Sequence, residues 1–180
     1  MIKKTLVIAL YTILCIIALA LIIALFTKKD YTVQREITIN QPDSIVYEHL
    51  MFFKNHKNFN AWYLKDPNMK ESSKNTDGQI GYVFSYEGNK DLGSGEQELI
   101  GLEKNKKVDI ELRFFKPFKS TSNSPYELEK LNSSQTKVKW TMQGKMNYPM
   151  NLALLFINMD SFLGKDVQQS LENLKINLEK

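Results

Sequence analysis

Residues Pro149 to Lys180 place apolar side chains at intervals of three and four: Leu152, Phe156, Met159, Leu163, Val167, Leu171, Leu174 and Leu178. At 3.6 residues per turn all of them fall on one stripe, while Lys165, Gln169, Glu172 and Lys175 fall on the opposite side. The spacing predicts one long amphipathic helix over this whole stretch. Such a helix is not stable alone in water and needs an apolar surface about as long as itself. Whatever precedes it must provide that surface.

The preceding chain reads mostly as strands. Thr32 to Ile39 alternates, with Val33, Arg35, Ile37 and Ile39 on one face. Asn40-Gln41-Pro42-Asp43 ends this strand and starts a helix with proline in its first turn, running to about Lys54. Asn55 to Trp62 predicts a second short helix or turn. A weak strand at Met69 to Lys74 precedes the turn Asn75-Thr76-Asp77-Gly78. Gly81 to Glu87, Gln97 to Glu103 and Val108 to Phe114 follow as strands joined by short connections. Thr121 to Leu131 is a polar strand interrupted by Pro125, which suits an edge or a bulge. Thr136 to Lys145 puts Val138, Trp140 and Met142 on one side and Lys137, Lys139 and Gln143 on the other. Successive hairpins imply an antiparallel sheet, and the last helix is the element long enough to cover it. The expected class is α+β, a curved antiparallel sheet of about seven strands wrapped around a long C-terminal helix.

Thr5 to Phe26 carries no charge, proline or glycine. As a helix it measures about 33 Å, enough to cross a hydrocarbon core of roughly 30 Å. A cleaved signal peptide is the rival reading. The apolar run exceeds the usual ~7–15 residues of such a signal, and Phe26-Thr27-Lys28-Lys29 lacks a small-x-small cleavage pattern. The reading is a basic tail at 1–4, a transmembrane anchor at 5–26, a linker at 27–31 and a domain at 32–180. An N-terminal anchor with a short basic tail usually keeps that tail in the cytoplasm, which puts the domain outside it, although Lys28 and Lys29 nearly balance Lys3 and Lys4. Lys3, Lys4, Lys28 and Lys29, less Asp30, supply +3 of the net charge of +4. The rest of the chain is nearly neutral and has Arg35 and Arg113 as its arginines, so it carries no electrostatic footprint for nucleic acid. Cys15, the one cysteine, lies inside the apolar run, so no disulfide or cysteine metal site forms in the domain.

Several local patterns resemble the SRPBCC superfamily, also called START-like or polyketide cyclase-like helix-grip proteins, in its membrane-anchored bacterial members. They are Val33-x-Arg35-Glu36-Ile37-x-Ile39 followed by Pro42; Trp62 before Asp66-Pro67-x-Met69; Gly78-x-x-Gly81; Tyr86-Glu87-Gly88-Asn89; Gly93-x-Gly95-Glu96; and Gly164-Lys165-Asp166 followed by Leu171-x-x-Leu174-Lys175. The resemblance spans residues 31 to about 178. It implies a deep cavity between sheet and long helix, usually for an apolar ligand. It does not name the function, because this fold hosts binders, lipid carriers, cyclases and regulators.

Candidate chemistry is sparse. Glu96 and Glu98 share strand parity with Ile100 and Leu102. If that face is inward, a desolvated carboxylate could serve as acid, base or ligand anchor. A bulge at Gly93 or Gly95 would instead turn both to solvent, and glycine in a strand often marks one. Asp160 could face the cavity or pair locally with Lys165. Arg35 could meet an inward carboxylate such as Glu96 or lie on an exposed rim. His49 and His56 lack the companion ligands that a metal site needs. Tyr82, Phe84, Tyr86, Phe114, Trp140, Met142, Met159 and Leu163 are core residues that would also line an apolar pocket.

The leading expectation is a membrane-tethered binding module for a hydrophobic small molecule or lipid, needing no cofactor. The alternatives are a cyclase- or hydrolase-like enzyme using an inward carboxylate, and an interaction protein with a filled core and an exposed apolar patch.

Overall fold

The computed structural model describes residues 2–117 and 119–180; Met1, the first residue of the expected basic tail, lies outside the described residues. It contains four α-helices: α1 (Ile2–Phe26), α2 (Asp43–Met51), α3 (Ala61–Leu64) and α4 (Met159–Leu178). Eight strands form one antiparallel curved sheet: β1 (Asp30–Ile39), β2 (Lys70–Lys74), β3 (Val83–Glu87), β4 (Ser94–Glu103), β5 (Lys107–Lys116), β6 (Ser120–Asn123), β7 (Tyr126–Asn132) and β8 (Gln135–Lys145). Their order is β1-β8-β6-β5-β4-β3-β2, with β7 pairing both β5 and β8. Two compact units result: Tyr31–Gly144 with Met159–Lys180, and residues 2–30 with Lys145–Asn158.

In the larger unit α4 lies in the concavity of the sheet. Val167, Leu171 and Leu174 are fully buried, and each such aliphatic side chain contributes about 1.5–3 kcal/mol relative to exposure. Polar ties fix the helix in place. The Lys175 ammonium donates to the Thr38 carbonyl at 2.6 Å, and the Ser170 hydroxyl accepts from the Ala61 amide at 2.9 Å. Gly164 is buried in the middle of α4 because the Arg35 guanidinium lies against it; a methyl group there would overlap the guanidinium. This accounts for a helical glycine that costs about 1 kcal/mol in propensity relative to alanine.

The predicted strands formed with two main differences. The single polar strand over 121–131 is two, β6 and β7, because Pro125 has no amide proton to continue the ladder. The Ser124 amide donates instead to the Ile110 carbonyl at 2.7 Å, which carries the chain across to the next pairing. In β4 the register shifts between Leu99 and Gly101. Leu99 pairs with Ile110 and Leu102 with Val108, so Ile100 is the extra residue of a bulge and side-chain parity changes there. The first helix also ends earlier than Lys54: α2 stops at Met51 and a 3₁₀ turn covers Phe53–Asn58.

The C-terminal helix needs a larger correction. Pro149 to Lys180 is not one helix. Met150–Leu155 is a 3₁₀ turn belonging to the smaller unit, and α4 begins at Met159. The apolar stripe runs across both pieces, so periodicity could not separate them. Asn158, Asp160 and Ser161 are the residue types that start helices, and that local signal was overrun by the stripe.

In the smaller unit, α1 contains a segment, Lys4–Phe26, that is long and apolar enough to cross a membrane. The 3₁₀ turn holds its C-terminal end. The Asn151 side-chain amide donates to the carbonyls of Ala24 at 2.7 Å and Thr27 at 2.9 Å. The Ala24 carbonyl belongs to the last turn of α1 and Thr27 follows it, where intrahelical partners run out.

Candidate functional site

The concave face of the larger unit can be read from strand register. Phe84 on β3 faces Gln97 on β4, Gln97 faces Leu112 on β5, Leu112 faces Ser122 on β6, and Ser122 faces Gly144 on β8. All five belong to the inward parity of their strands. The Tyr31 ring from β1 lies over Gly144, where any Cβ would overlap it. This row is apolar or small at four positions and polar at Gln97. Gln97 is 3 % exposed, and its Nε2 has no hydrogen-bond partner. The Ser122 hydroxyl, by contrast, donates to the Gln143 carbonyl at 2.8 Å.

A second region of the same interior is packed with rings. The His56 imidazole stacks on Phe53 at 4.8 Å and meets Phe59 at 5.1 Å. Tyr126 stacks on Trp140 at 4.8 Å, and Tyr63 meets Phe84 and Tyr86 edge-on at 5.7 and 5.6 Å. Burial pushes the Tyr63 and Tyr126 phenols well above their ordinary range and Tyr86 up to about 12. The Trp140 indole donates to the Ser124 hydroxyl at 2.8 Å. The His56 Nε2 lies 2.8 Å from the Leu50 carbonyl. A carbonyl only accepts, so Nε2 carries a proton. Burial lowers its pKa to about 4, and the bond to Leu50 partly offsets that.

Four of the eight aromatic, Met and Leu candidates, Tyr82, Phe84, Tyr86 and Trp140, fall in the ring cluster, joined there by Phe53, His56, Phe59, Tyr63 and Tyr126. Met142 and Met159 are buried, while Phe114 and Leu163 are half-buried. Gln97 was missed in the sequence, because a lone glutamine among strand residues carries no signal of inward direction.

The carboxylate candidates do not reach this interior. Glu96 and Glu98 are on the parity opposite to buried Gln97 and Leu99, on the convex face. Both accept from Arg113 of β5, at 2.6 and 2.7 Å, and Glu111 joins them at 2.5 Å. These bonds, the one to Glu98 foremost, raise the Arg113 pKa above its ordinary value. The register also shifts between Ser94 and Gly95, where glycine suggests a bulge, and both carboxylates face outward as that alternative requires; the parity shared with Leu102 does not carry through because the bulge at Ile100 separates them, and Ile100 itself is exposed. Asp160 pairs with neither Lys165 nor the interior. Its side chain is mostly exposed and accepts from Arg35 at 2.7 and 3.0 Å, which lowers the carboxyl pKa. Arg35 in turn meets Asp160 and not Glu96.

One cavity among the described residues lies elsewhere in the larger unit. It is an open groove of about 500 Å³ lined by His49, Lys57, Asn58, Leu64, Asn177 and Lys180. The Asn177 amide donates to the Asn58 carbonyl at 2.8 Å and the Lys180 ammonium donates to Asn177 at 3.2 Å, while the buried His49 Nε2 has no hydrogen-bond partner.

No family model matches the chain, and no curated protein matches it. Solved structures do. Norcoclaurine synthase from Thalictrum flavum superposes with a TM-score of 0.63 at 10% identity, covering 88% of this chain and 92% of that one. The Zhui aromatase/cyclase from Streptomyces sp. R1128 gives 0.60 at 10% identity over 83% and 94%. Aha1 from Colwellia psychrerythraea, solved as a dimer in solution, gives 0.57 at 18% identity over 83% and 96%. At these identities the likeness establishes the fold: a curved antiparallel sheet gripping a C-terminal helix, the SRPBCC or START-like helix-grip architecture, here with an apolar helix at its N-terminus.

Proposed function

We propose that this chain is a membrane-tethered binding module for a hydrophobic small molecule or lipid that carries a hydrogen-bond-accepting group. Residues 5–26 are the tether, and the larger unit, within residues 32–180, is the binding domain. The observation that carries this reading is the Gln97 amide, buried on the concave face with an unpaired Nε2. A buried donor without a partner costs about 1–3 kcal/mol, and such groups are few in folded proteins. A carbonyl, carboxylate or ester oxygen of a ligand would satisfy it. Leu112, Phe114, Met142, Met159 and Leu163 supply the apolar walls, with Phe84 and Tyr86 bounding the row on the ring-cluster side. Acid–base catalysis is less well supported, because Glu96 and Glu98 pair with Arg113 and Asp160 pairs with Arg35, away from the row.

Native mass spectrometry of the full chain in detergent, together with displacement of a fluorescent fatty acid, tests the reading. Wild type should carry an organic ligand or bind the probe, and Gln97→Leu should weaken binding about tenfold, the worth of one hydrogen bond. No bound mass and no probe binding would favour the filled-core interaction protein. The observation on that side is the ring cluster, which already fills much of the interior with the chain's own side chains.

A further inference from the structure

The segment Lys145–Asn158 of the smaller unit buries few of its large apolar side chains. Tyr148, Met150, Leu155 and Ile157 are substantially exposed, and Phe156 is 87 % exposed. In an aqueous loop this would be an unfavourable apolar patch. Its position is fixed by hydrogen bonds. Asn151 donates to the Ala24 and Thr27 carbonyls, and the Met146 amide donates to the Lys29 carbonyl at 2.8 Å. Ala24 is fully buried, while the α1 residues preceding it present apolar side chains outward. The patch is therefore clamped to the last turn of α1.

We propose that this segment is an interfacial wedge, inserting Phe156 and its apolar neighbours into the same leaflet in which α1 ends. The proposal rests on reading α1 as membrane-spanning. A 23-residue apolar stretch is about 35 Å long against a hydrocarbon core of roughly 30 Å, so its last turn lies at the boundary between acyl chains and headgroups. Anything clamped to that turn lies at the same depth. Aromatic and aliphatic side chains there enter the acyl region as in interfacial segments, and Lys28, Lys29 and Lys145 meet anionic headgroups. The occupant is the bilayer because the patch continues the lipid-facing surface of α1. One helix alone would leave the smaller unit free to tilt; a second contact fixes it against the membrane.

The test uses the full chain in vesicles of phosphatidylcholine and phosphatidylglycerol. Single cysteines in a Cys15→Ser background carry an environment-sensitive fluorophore at Ile23→Cys, Phe156→Cys or Lys104→Cys. Lipids bearing doxyl quenchers on their acyl chains read depth. The expected result is strong quenching at positions 23 and 156, several-fold above position 104. Quenching at 23 with a water-exposed label at 156 overturns the wedge and leaves the tether standing. An aqueous label at 23 overturns the tether and the wedge with it. A blue-shifted but unquenched label at 156 assigns the patch to a protein partner or a second copy, which also overturns the wedge. Phe156→Asp checks folding independently: it should abolish insertion of the segment while leaving the circular dichroism of the chain unchanged.

Discussion

The two regions of the helix-grip interior are built on the same sheet, yet they are filled differently. Near α2, the 3₁₀ turn at 53–58 and α3, rigid rings from helix and strand interlock, and the side chains beneath them are fully buried. Along the row from Phe84 to Gly144, the sheet offers glutamine, serine and glycine, with Leu112 and Phe114 only half-buried. A ring fixes many contacts with two torsions, so the aromatic region is stiff and stable. A row of small and polar residues provides less packing and leaves a donor unpaired. The contrast separates a stability region from a candidate binding region within one core.

The contrast can be broken first by truncation. Trp140→Ala should lose about 3–5 kcal/mol of stability, whereas Leu163→Ala should lose less than about 2 kcal/mol; denaturant unfolding in detergent measures both. Equal losses would mean that the two regions are packed alike. The second lever is pH. His56 is neutral and buried with a pKa of about 4, below an ordinary imidazole near 6.5. Its folded pKa is depressed, so its contribution is present above pH 6.5 and is lost as pH falls towards 4. The full difference is roughly 3 kcal/mol. His56→Phe should flatten that portion of the stability profile between these limits, and an unchanged slope would place the imidazole in contact with water.

Smaller effects sharpen the binding side. Gln97→Leu should raise stability by up to about 1 kcal/mol, since it removes an unpaired buried amide, while ligand affinity falls. A loss of stability would show that the Gln97 amide is satisfied within the fold. Gly164→Ala should stay within about 0.5 kcal/mol of wild type in unfolding experiments. The gain in helix propensity is offset by displacing the tip of a flexible arginine from its largely exposed pair with Asp160. A large loss would mean that the Arg35–Gly164 approach is rigid.

The fold was legible at the level of elements. Alternation located β1, β5 and β8 closely, because each has one face buried and one exposed. The gripping face of α4 was legible from Val167, Leu171 and Leu174, and Gly164 marked a close approach whose partner was unknown. The site was less legible. Parity was read through residues on both sides of a bulge, so the direction of Glu96 and Glu98 rested on a register that only pairing with β5 determines.

The sequence by itself determined an apolar segment long enough to cross a membrane, a set of alternating strands and a helix with one greasy stripe. These follow from periodicity and composition, which are local properties of the chain. The tertiary structure decided where the last helix begins, which carboxylates turn outward, that Arg35 rests on Gly164, and that Gln97 is buried without a partner. Each of these depends on contacts between residues distant in sequence, where one extra residue in a strand or one side chain held by another element changes which way a group faces.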